Sequence, residues 1–171
     1  MNLQPILEAD ARWSQSLRVA ERPGPLRVAA GIMAHSGDSW FWGIGLALSW
    51  WLGEPLQKQW AVRLLAAIAV TAILVMALKL GVRRKRPEGK WGSIYRVTDP
   101  HSFPSGHAAR AVLLAVLITA WGPAWLAPAI ILWAPLVSLA RVAMGVHYLS
   151  DVLVGSALGL VVAGIALALL G

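Results

Sequence analysis

Long stretches without a charged residue constrain the fold of this chain more than any other feature. Residues 111–140 and 152–171 contain no Asp, Glu, Lys or Arg, and shorter charge-free runs cover residues 39–53 and 64–78. A bilayer core about 30 Å thick requires about 20 apolar residues of α-helix. The longer runs meet this requirement, and the shorter runs meet it when flanking lysine and arginine side chains reach for the interface. We therefore expect an integral membrane protein.

The composition supports this expectation and limits the possible partners. Hydrophobic residues make up 58% of the chain and charged residues only 13%, which is more apolar than an ordinary soluble domain. The formal net charge is +7, but most Lys and Arg lie at the ends of apolar segments and not along a soluble basic face. We expect no nucleic-acid partner; the bilayer and a membrane lipid substrate fit better. The chain has no cysteine, so disulfides and thiolate metal sites are excluded.

The pattern of apolar segments predicts an all-α fold, a multi-pass transmembrane helical bundle that forms a single domain over residues 1–171. Residues 1–22 are expected to form an amphipathic helix that lies in the membrane interface. Five spans are expected at residues 26–53, 60–80, 104–120, 125–143 and 147–170, with a basic active-site loop at residues 81–103. This topology places the N-terminus, the basic loop and the turn at residues 141–147 on one face. Oligomeric state is left open.

The first candidate cluster is the basic tract KLGVRRKRP at residues 79–87. Lys79 and Arg86 are seven residues apart, so a helix that continued to Arg86 would place both on one face, with Arg83 between them. Such cations suit a phosphate, which arginine binds as a fork and lysine as a point charge. An alternative is a basic anchor at the end of a membrane helix.

The second cluster is FPSGH at residues 103–107. Proline is tolerated in the first turn of a helix, where the N–H groups of Ser105 and Gly106 would be among the unpaired donors that favour an anion. His107 would lie at the edge of this anion site and could give or take a proton near neutral pH. The alternative is an ordinary turn with an interfacial histidine.

The third cluster is ARVAMGVHYLSDV at residues 140–152. Arg141 lies near the end of the fourth span, and His147 opens the fifth span with Asp151 four residues later. In a helix this spacing lets Asp151 accept a hydrogen bond from one ring nitrogen of His147, which leaves the other nitrogen as nucleophile or base. The alternative is a structural His/Asp pair.

The three clusters resemble the three-part motif of the type 2 phosphatidic acid phosphatase (PAP2) superfamily. The motif is present in order as Lys79, six residues, Arg86-Pro87; then residues 104–107; then Arg141, five residues, His147, three residues, Asp151. The family usually has serine directly before the arginine of the third part, whereas this chain has Ala140.

The resemblance implies roles for these side chains. His147 would attack phosphorus, Asp151 would orient it, and His107 would protonate the leaving oxygen. The groups implied to bind the phosphate are Lys79, Arg86, Ser105, Gly106 and Arg141. Water would then hydrolyse the phosphohistidine, without a metal or other cofactor.

The implied activity is a metal-independent lipid phosphatase, and the short chain favours a polyprenyl phosphate or diphosphate such as the undecaprenyl carrier. Phosphatidic acid, phosphatidylglycerol phosphate, lipid A and polyprenyl-linked sugar phosphates are alternative substrates. Phosphotransfer to an acceptor hydroxyl, a non-catalytic lipid-phosphate binding or transport protein, and a structural membrane protein with basic anchors are alternative functions.

The expected location is the plasma membrane (the inner membrane of a two-membrane cell), with the active site at the membrane interface. The excess of Lys and Arg on the face of the active site favours the cytoplasmic side. His35 and Asp38 have no motif partner and are expected to pack or to contact lipid, and His101 is expected to be a loop residue.

Overall fold

The computed structural model describes residues 4–89, 91 and 97–171, and this part of the chain is helical without a β-strand. The prediction of an all-α fold is confirmed. The helices are α1 Gln4–Ser16, α2 Pro25–Ser36, α3 Ser39–Leu52, α4 Pro55–Val82, α5 Gly106–Trp121, α6 Ala127–Ala143 and α7 Leu149–Leu170, and a short 3-10 helix, Ala124–Leu126, leads into α6.

Three long apolar helices and one shorter apolar helix form the centre of the bundle. Within the described residues, the segments long and apolar enough to cross a bilayer are Pro55–Val82, Ala124–Ala143 and Leu149–Leu170, and Gly106–Trp121 is a shorter apolar helix. The shorter helix, α5, packs against α4, α6 and α7, and its Leu113, Leu114 and Leu117 are fully buried. It is therefore the centre of the hydrophobic core, and its neighbours turn their outer faces to lipid.

The first expected span, residues 26–53, is not one helix. It is divided into α2 and α3, and Asp38 at the division has an extended backbone. Gly37 passes so close to α6 that a Cβ atom would lie 2.8 Å from Cγ1 of Val137, and a side chain here would force one of the two to shift. The charged Asp38 side chain turns toward α5, and a polar partner for it there explains why the break occurs at this position.

Helices α5 and α7 approach each other through glycine. A Cβ atom at Gly155 or Gly159 would clash with the backbone carbonyls of Ser105 and Ala109. Small residues allow such close packing in membranes, and here they serve packing within the chain. This contact fixes the start of α5 against the start of α7, where the candidate site lies.

Helix α1 closes the bundle at the same end. Ser14 Oγ accepts a hydrogen bond from the Leu149 N–H at 2.8 Å, and Asp10 accepts one from the Ser150 N–H at 3.0 Å. These are first-turn donors of α7, which would otherwise lack partners. Ile6 and Trp13 stay exposed, so α1 turns its polar side to the protein and its apolar side outward. The helix ends at Ser16, earlier than the predicted residue 22.

Candidate active site

A cavity of about 520 Å³ lies between the ends of α4, α5 and α6 and the break before α3. Its polar part is lined by Asp38, Lys79, Arg86, Asp99, Gly106, His107, Arg110, Arg141 and His147. Its apolar part is lined by residues of α4, namely Ile68, Ala72, Val75 and Met76. One part of the cavity wall is therefore charged, and the other part is apolar.

Lys79 and Arg86 of the first cluster both line the cavity, although they do not lie on one continuous helix. Helix α4 ends at Val82, because Arg83 adopts a left-handed backbone with φ 52°. The chain then turns back, Lys85 pairs with His101 in an antiparallel bridge, and Arg86 enters the cavity. Helix α4 thus ends at the start of the predicted basic loop and does not continue to Arg86. Arg83 is exposed and donates to the Leu80 carbonyl, so Lys79 and Arg86 are the two cations of this tract that line the cavity.

Asp99 bridges these two cations. Its carboxylate contacts Lys79 Nζ and accepts a hydrogen bond from Arg86 Nη2 at 2.8 Å. Burial alone would raise the pKa of Asp99, but the hydrogen bond and charge of Lys79 and the charge of Arg86 lower it below its ordinary value of 3.8. An anionic oxygen therefore lies between the lysine and the arginine, as a phosphate oxygen would. No sequence pattern pointed to Asp99.

The turn between α6 and α7 brings His147 next to Arg141. Gly145 has φ +68°, a left-handed conformation that glycine adopts readily. The N–H groups of Val146 and His147 then both donate to the Arg141 carbonyl, at 3.2 and 3.3 Å. Arg141 and His147 are completely or almost completely buried, so the turn presents both side chains to the interior.

The hydrogen bonds of His147 define its tautomer. Arg86 Nη1 lies 3.1 Å from His147 Nε2, and because a guanidinium can only donate, Nε2 is the acceptor. A neutral ring then carries its proton on Nδ1. The nearest Asp151 oxygen is 3.5 Å from Nδ1, and Nδ1 makes no hydrogen bond with a described residue. The predicted hydrogen bond between His147 and Asp151 is therefore not formed in this structure. Hydrogen bonds between catalytic residues are often long when no ligand is bound.

Asp151 is held by other partners. His147 precedes α7, so Asp151 is in the first turn and accepts the Tyr148 N–H at 2.9 Å. Its other oxygen accepts from Arg84 Nη1 at 2.8 Å, and Arg84 Nη2 reaches Asp10 of α1 at 2.7 Å. Arg84 thus ties the carboxylate to α1. The sequence marked Arg84 only as loop charge.

The second cluster offers fewer free backbone N–H groups to an anion than predicted. The Ser105 N–H donates to the Asp151 carbonyl at 2.9 Å, and Ser105 Oγ accepts from the Ala108 N–H at 3.4 Å. The expected unpaired donor at Ser105 is wrong, because this N–H joins the starts of α5 and α7. Gly106 does line the cavity. Ala140 packs in an apolar cluster with Met144 and Val146 and not at the cavity.

His107, in the first turn of α5, faces an aspartate that the sequence left without a role. His107 Nε2 lies 2.7 Å from Asp38 Oδ1. In the sequence Asp38 is a single charged residue within an apolar stretch, and nothing in the pattern indicated that its partner is His107.

The His147 environment predicts its titration. Burial lowers the pKa of His147 well below its ordinary value of 6.5, and the cations of the site add to this effect. A lowered pKa means that the ring is neutral throughout the neutral range, with its lone pair available. With isotope-labelled histidine, four resonances are expected, and the one that disappears in His147→Asn should titrate well below pH 6.5. A midpoint at or above 6.5 would contradict this electrostatic description.

A buried group of arginine and lysine side chains around a neutral histidine, at the end of a membrane helix bundle, is typical of an enzyme that transfers or hydrolyses phosphoryl groups. The chain belongs to the PAP2 superfamily, since the model of that family matches residues 60–171. This span includes every motif residue of the three clusters. The chain is therefore a membrane lipid phosphatase of this superfamily.

Individual relatives agree with this assignment. The chain is 36% identical to decaprenylphosphoryl-5-phosphoribose phosphatase of Mycobacterium tuberculosis, over 86% of this chain and 81% of that protein. The crystal structure of LpxE from Aquifex aeolicus superposes with a TM-score of 0.71 at 25% identity, covering 90% of this chain and 93% of that chain. A PAP2-type phosphatidylglycerolphosphate phosphatase from Bacillus subtilis shares the fold, with a TM-score of 0.73 at 24% identity, covering 96% and 86%.

Proposed function

We propose that this protein hydrolyses a polyprenyl-linked phosphate or diphosphate through a phosphohistidine intermediate on His147. The observation that carries the proposal is the division of the cavity, with cations and two histidines at one end and the apolar residues of α4 at the other. A lipid phosphate has the same division. The mycobacterial relative is named for a decaprenyl-linked substrate, which favours a polyprenyl chain over a diacylglycerol.

In this mechanism the phosphate takes the position between Lys79 and Arg86 that the Asp99 carboxylate occupies, with Arg141 as the third cation. His147 Nε2, which already faces Arg86, attacks phosphorus. Asp151 stabilises the positive charge that develops on the ring from the Nδ1 side. His107 protonates the leaving oxygen and then accepts a proton from the water that hydrolyses the phosphohistidine.

A second, apolar cavity offers room for a long hydrocarbon chain. It has a volume of about 570 Å³, shares Trp40 with the first cavity, and extends along α3 to Trp121 and Gly122 at the far end of α5. Helix α5 has 16 residues, which corresponds to about 24 Å at 1.5 Å per residue. The first cavity lies at the start of α5 and the second at its end, so the two together follow the length of this helix. A path of this length suits a polyprenyl chain that lies along the bundle.

We propose that the reaction needs no metal ion. Lys79, Arg86 and Arg141 bring positive charge to the phosphate position, and this charge repels a divalent cation. Within the described residues, no group of three or more His, Asp or Glu side chains is arranged to hold a metal. The arginines and the lysine would neutralise the phosphate charge in its place.

The test is phosphate release by the purified protein in detergent with EDTA. The panel contains undecaprenyl phosphate, undecaprenyl diphosphate, a decaprenyl-linked phosphoribose phosphate, phosphatidic acid and phosphatidylglycerol phosphate. We expect release that persists in EDTA and is fastest with a polyprenyl substrate. Faster release from a diacylglycerol lipid would contradict the substrate proposal, loss of release in EDTA would contradict the metal-free mechanism, and no release from any lipid would favour a binding protein.

We also propose that the active site faces the cytoplasm. Outside the phosphate-binding set, the residues of positive charge on the active-site face are Arg12, Arg18, Arg22, Arg27, Arg83, Arg84, Lys85, Lys90 and Arg96, of which Lys90 and Arg96 lie outside the described residues. The opposite face has Lys58 and Arg63. This asymmetry follows the positive-inside rule.

Cysteine labelling tests this orientation, because the chain has no cysteine of its own. Lys58 and Arg83 are exposed at opposite ends of α4. In intact cells with the outer membrane permeabilised, a membrane-impermeant maleimide should label Lys58→Cys and spare Arg83→Cys, and inverted vesicles should give the reverse. Labelling of Arg83→Cys in intact cells would place the active site outside.

A further inference from the structure

The break between α2 and α3 carries a carboxylate that is not part of the three motif clusters. Asp38 Oδ1 lies 2.7 Å from His107 Nε2, and Asp38 Oδ2 lies 3.1 Å from His35 Nδ1 and 3.2 Å from Trp40 Nε1. Asp38 lines the same cavity as His107. We propose that Asp38 is a positioning residue for His107, which it holds through Nε2 so that Nδ1 delivers the proton to the leaving oxygen. This inference rests on the proposed function.

The backbone around Asp38 is fastened to the helix that carries His107. Arg110 is buried, three residues after His107 on α5, and it donates from Nε and Nη2 to the Gly37 carbonyl. Its Nη1 donates to Ser39 Oγ. Arg110 therefore forms hydrogen bonds with the residues on both sides of Asp38. A single helix thus fixes the acid and, through Arg110, the loop that carries the carboxylate.

The Asp38 carboxylate also helps His107 to hold the proton that a general acid must donate. A histidine that donates a proton must first be an imidazolium, and the site around His107 is already positive. The charged and titratable groups facing the His107–Asp38 pair are Arg110 from α5, Arg141 from α6, His35 from α2, and Lys79, Arg86, Asp99 and His147 around the cavity. Burial and the charges of Arg141 and Arg110 disfavour the protonated ring, and Asp38, an anion in direct contact with the ring, opposes this effect.

In the proposed reaction His107 donates one proton in the first step and recovers one in the second. When His147 Nε2 bonds to phosphorus, the electron pair of the breaking P–O bond passes to the leaving oxygen, which takes the proton from His107 Nδ1. The Nε2–H of His107 keeps its proton and donates a hydrogen bond to Asp38 Oδ1 throughout. In the second step Nδ1 accepts a proton from water as its oxygen bonds to phosphorus, and the P–N electron pair returns to His147.

The substitution Asp38→Asn keeps the shape and a hydrogen-bond acceptor but removes the charge. Two probes separate the acid from the rest of the site: farnesyl phosphate, whose alkoxide leaving group needs a proton, and p-nitrophenyl phosphate, whose leaving group does not. With farnesyl phosphate we expect kcat to fall about 10- to 100-fold, which is part of the contribution of about 10²- to 10⁴-fold that a general acid makes, with little change in KM. With p-nitrophenyl phosphate we expect a change of about twofold or less, since proton transfer contributes little there.

The pH profile provides the second readout. Without the carboxylate, the imidazolium loses its proton more easily, so the alkaline limb of kcat should move to lower pH by about one unit or more. His35→Gln is the matched control, since His35 is half exposed and touches the other Asp38 oxygen; it should leave kcat and the alkaline limb near the wild-type values.

The outcomes distinguish this inference from the function on which it rests. If the wild-type protein releases phosphate from neither probe nor from any lipid, the proposed function fails. If the wild type is active and Asp38→Asn has wild-type kcat, or loses activity equally with both probes with an unmoved alkaline limb, Asp38 has no role in positioning the acid and the inference is overturned.

Discussion

Replacement of His147 by alanine is expected to abolish phosphate release from every lipid substrate. The variant lacks the atom that bonds to phosphorus, and neither Asp151 nor the cations can replace it as a nucleophile. We expect kcat to fall by about 10⁴-fold or more, whereas binding of the lipid phosphate should persist because Lys79, Arg86 and Arg141 remain. The measurements are phosphate release in detergent and retention of a labelled lipid phosphate by the variant.

The control for this variant is His101→Ala. His101 lies in the loop beside the site, but only its backbone takes part, through the bridge to Lys85 and a carbonyl that accepts from Lys79. Activity near that of the wild type is expected for this control. Should correctly folded His147→Ala release phosphate at a rate within tenfold of the wild type, the nucleophile assignment would be wrong.

Replacement of His107 by alanine is expected to have the second largest effect. General acid catalysis by a positioned side chain contributes about 10²- to 10⁴-fold, so kcat with a lipid phosphate should fall in that range. The loss should depend on the leaving group, and p-nitrophenyl phosphate should recover most of the lost rate because its leaving group departs without a proton. Parallel kcat values for both substrates provide the measurement.

The His107→Ala and His147→Ala variants should differ in how their loss of activity depends on the leaving group. A nucleophile is needed for every substrate, whereas an acid is needed only for a poor leaving group. If His107→Ala is equally impaired with both substrates while its thermal stability matches the wild type, His107 has another task, such as binding the phosphate. If it is unimpaired with both, it lies outside the reaction.

The sequence predicted the membrane class and the motif residues because both depend on local patterns. Charge-free length indicates a membrane helix whatever the partners are, and the three motif clusters each lie at a helix end. The structure brings Lys79, Arg86, His107, Arg141 and His147 to one cavity, as expected from a five-span bundle whose second and fourth connections share a face. Local spacing was sufficient for these groups.

The break at Gly37 could not be predicted in the same way. Apolar residues continue on both sides of Asp38, so composition indicated one span over 26–53. What divides it is the contact of Gly37 with α6 and of Asp38 with His107, and both depend on helices far along the chain. The end of α4 at Val82, in contrast, lies close to residue 80, where the span was predicted to end.

The charged partners around the site were missed for a related reason. Asp38 and His107 are 69 residues apart, Arg84 and Asp151 are 67 apart, and Lys79 and Asp99 are 20 apart. Pairs at such separations have no helical or strand spacing that links them. None of these pairings could be seen in the sequence, and only packing of the helices showed which charges meet.

The central claim is that His147 carries the phosphoryl group, and trapping that group tests it most directly. Wild-type protein is mixed with a polyprenyl phosphate whose phosphate is radiolabelled, and the reaction is quenched in alkali during the first turnover. We expect protein-bound label that survives alkali, is lost in acid, and maps by mass spectrometry to the peptide containing His147. Label on another residue, or turnover with no bound label at any quench time, would contradict the proposed mechanism.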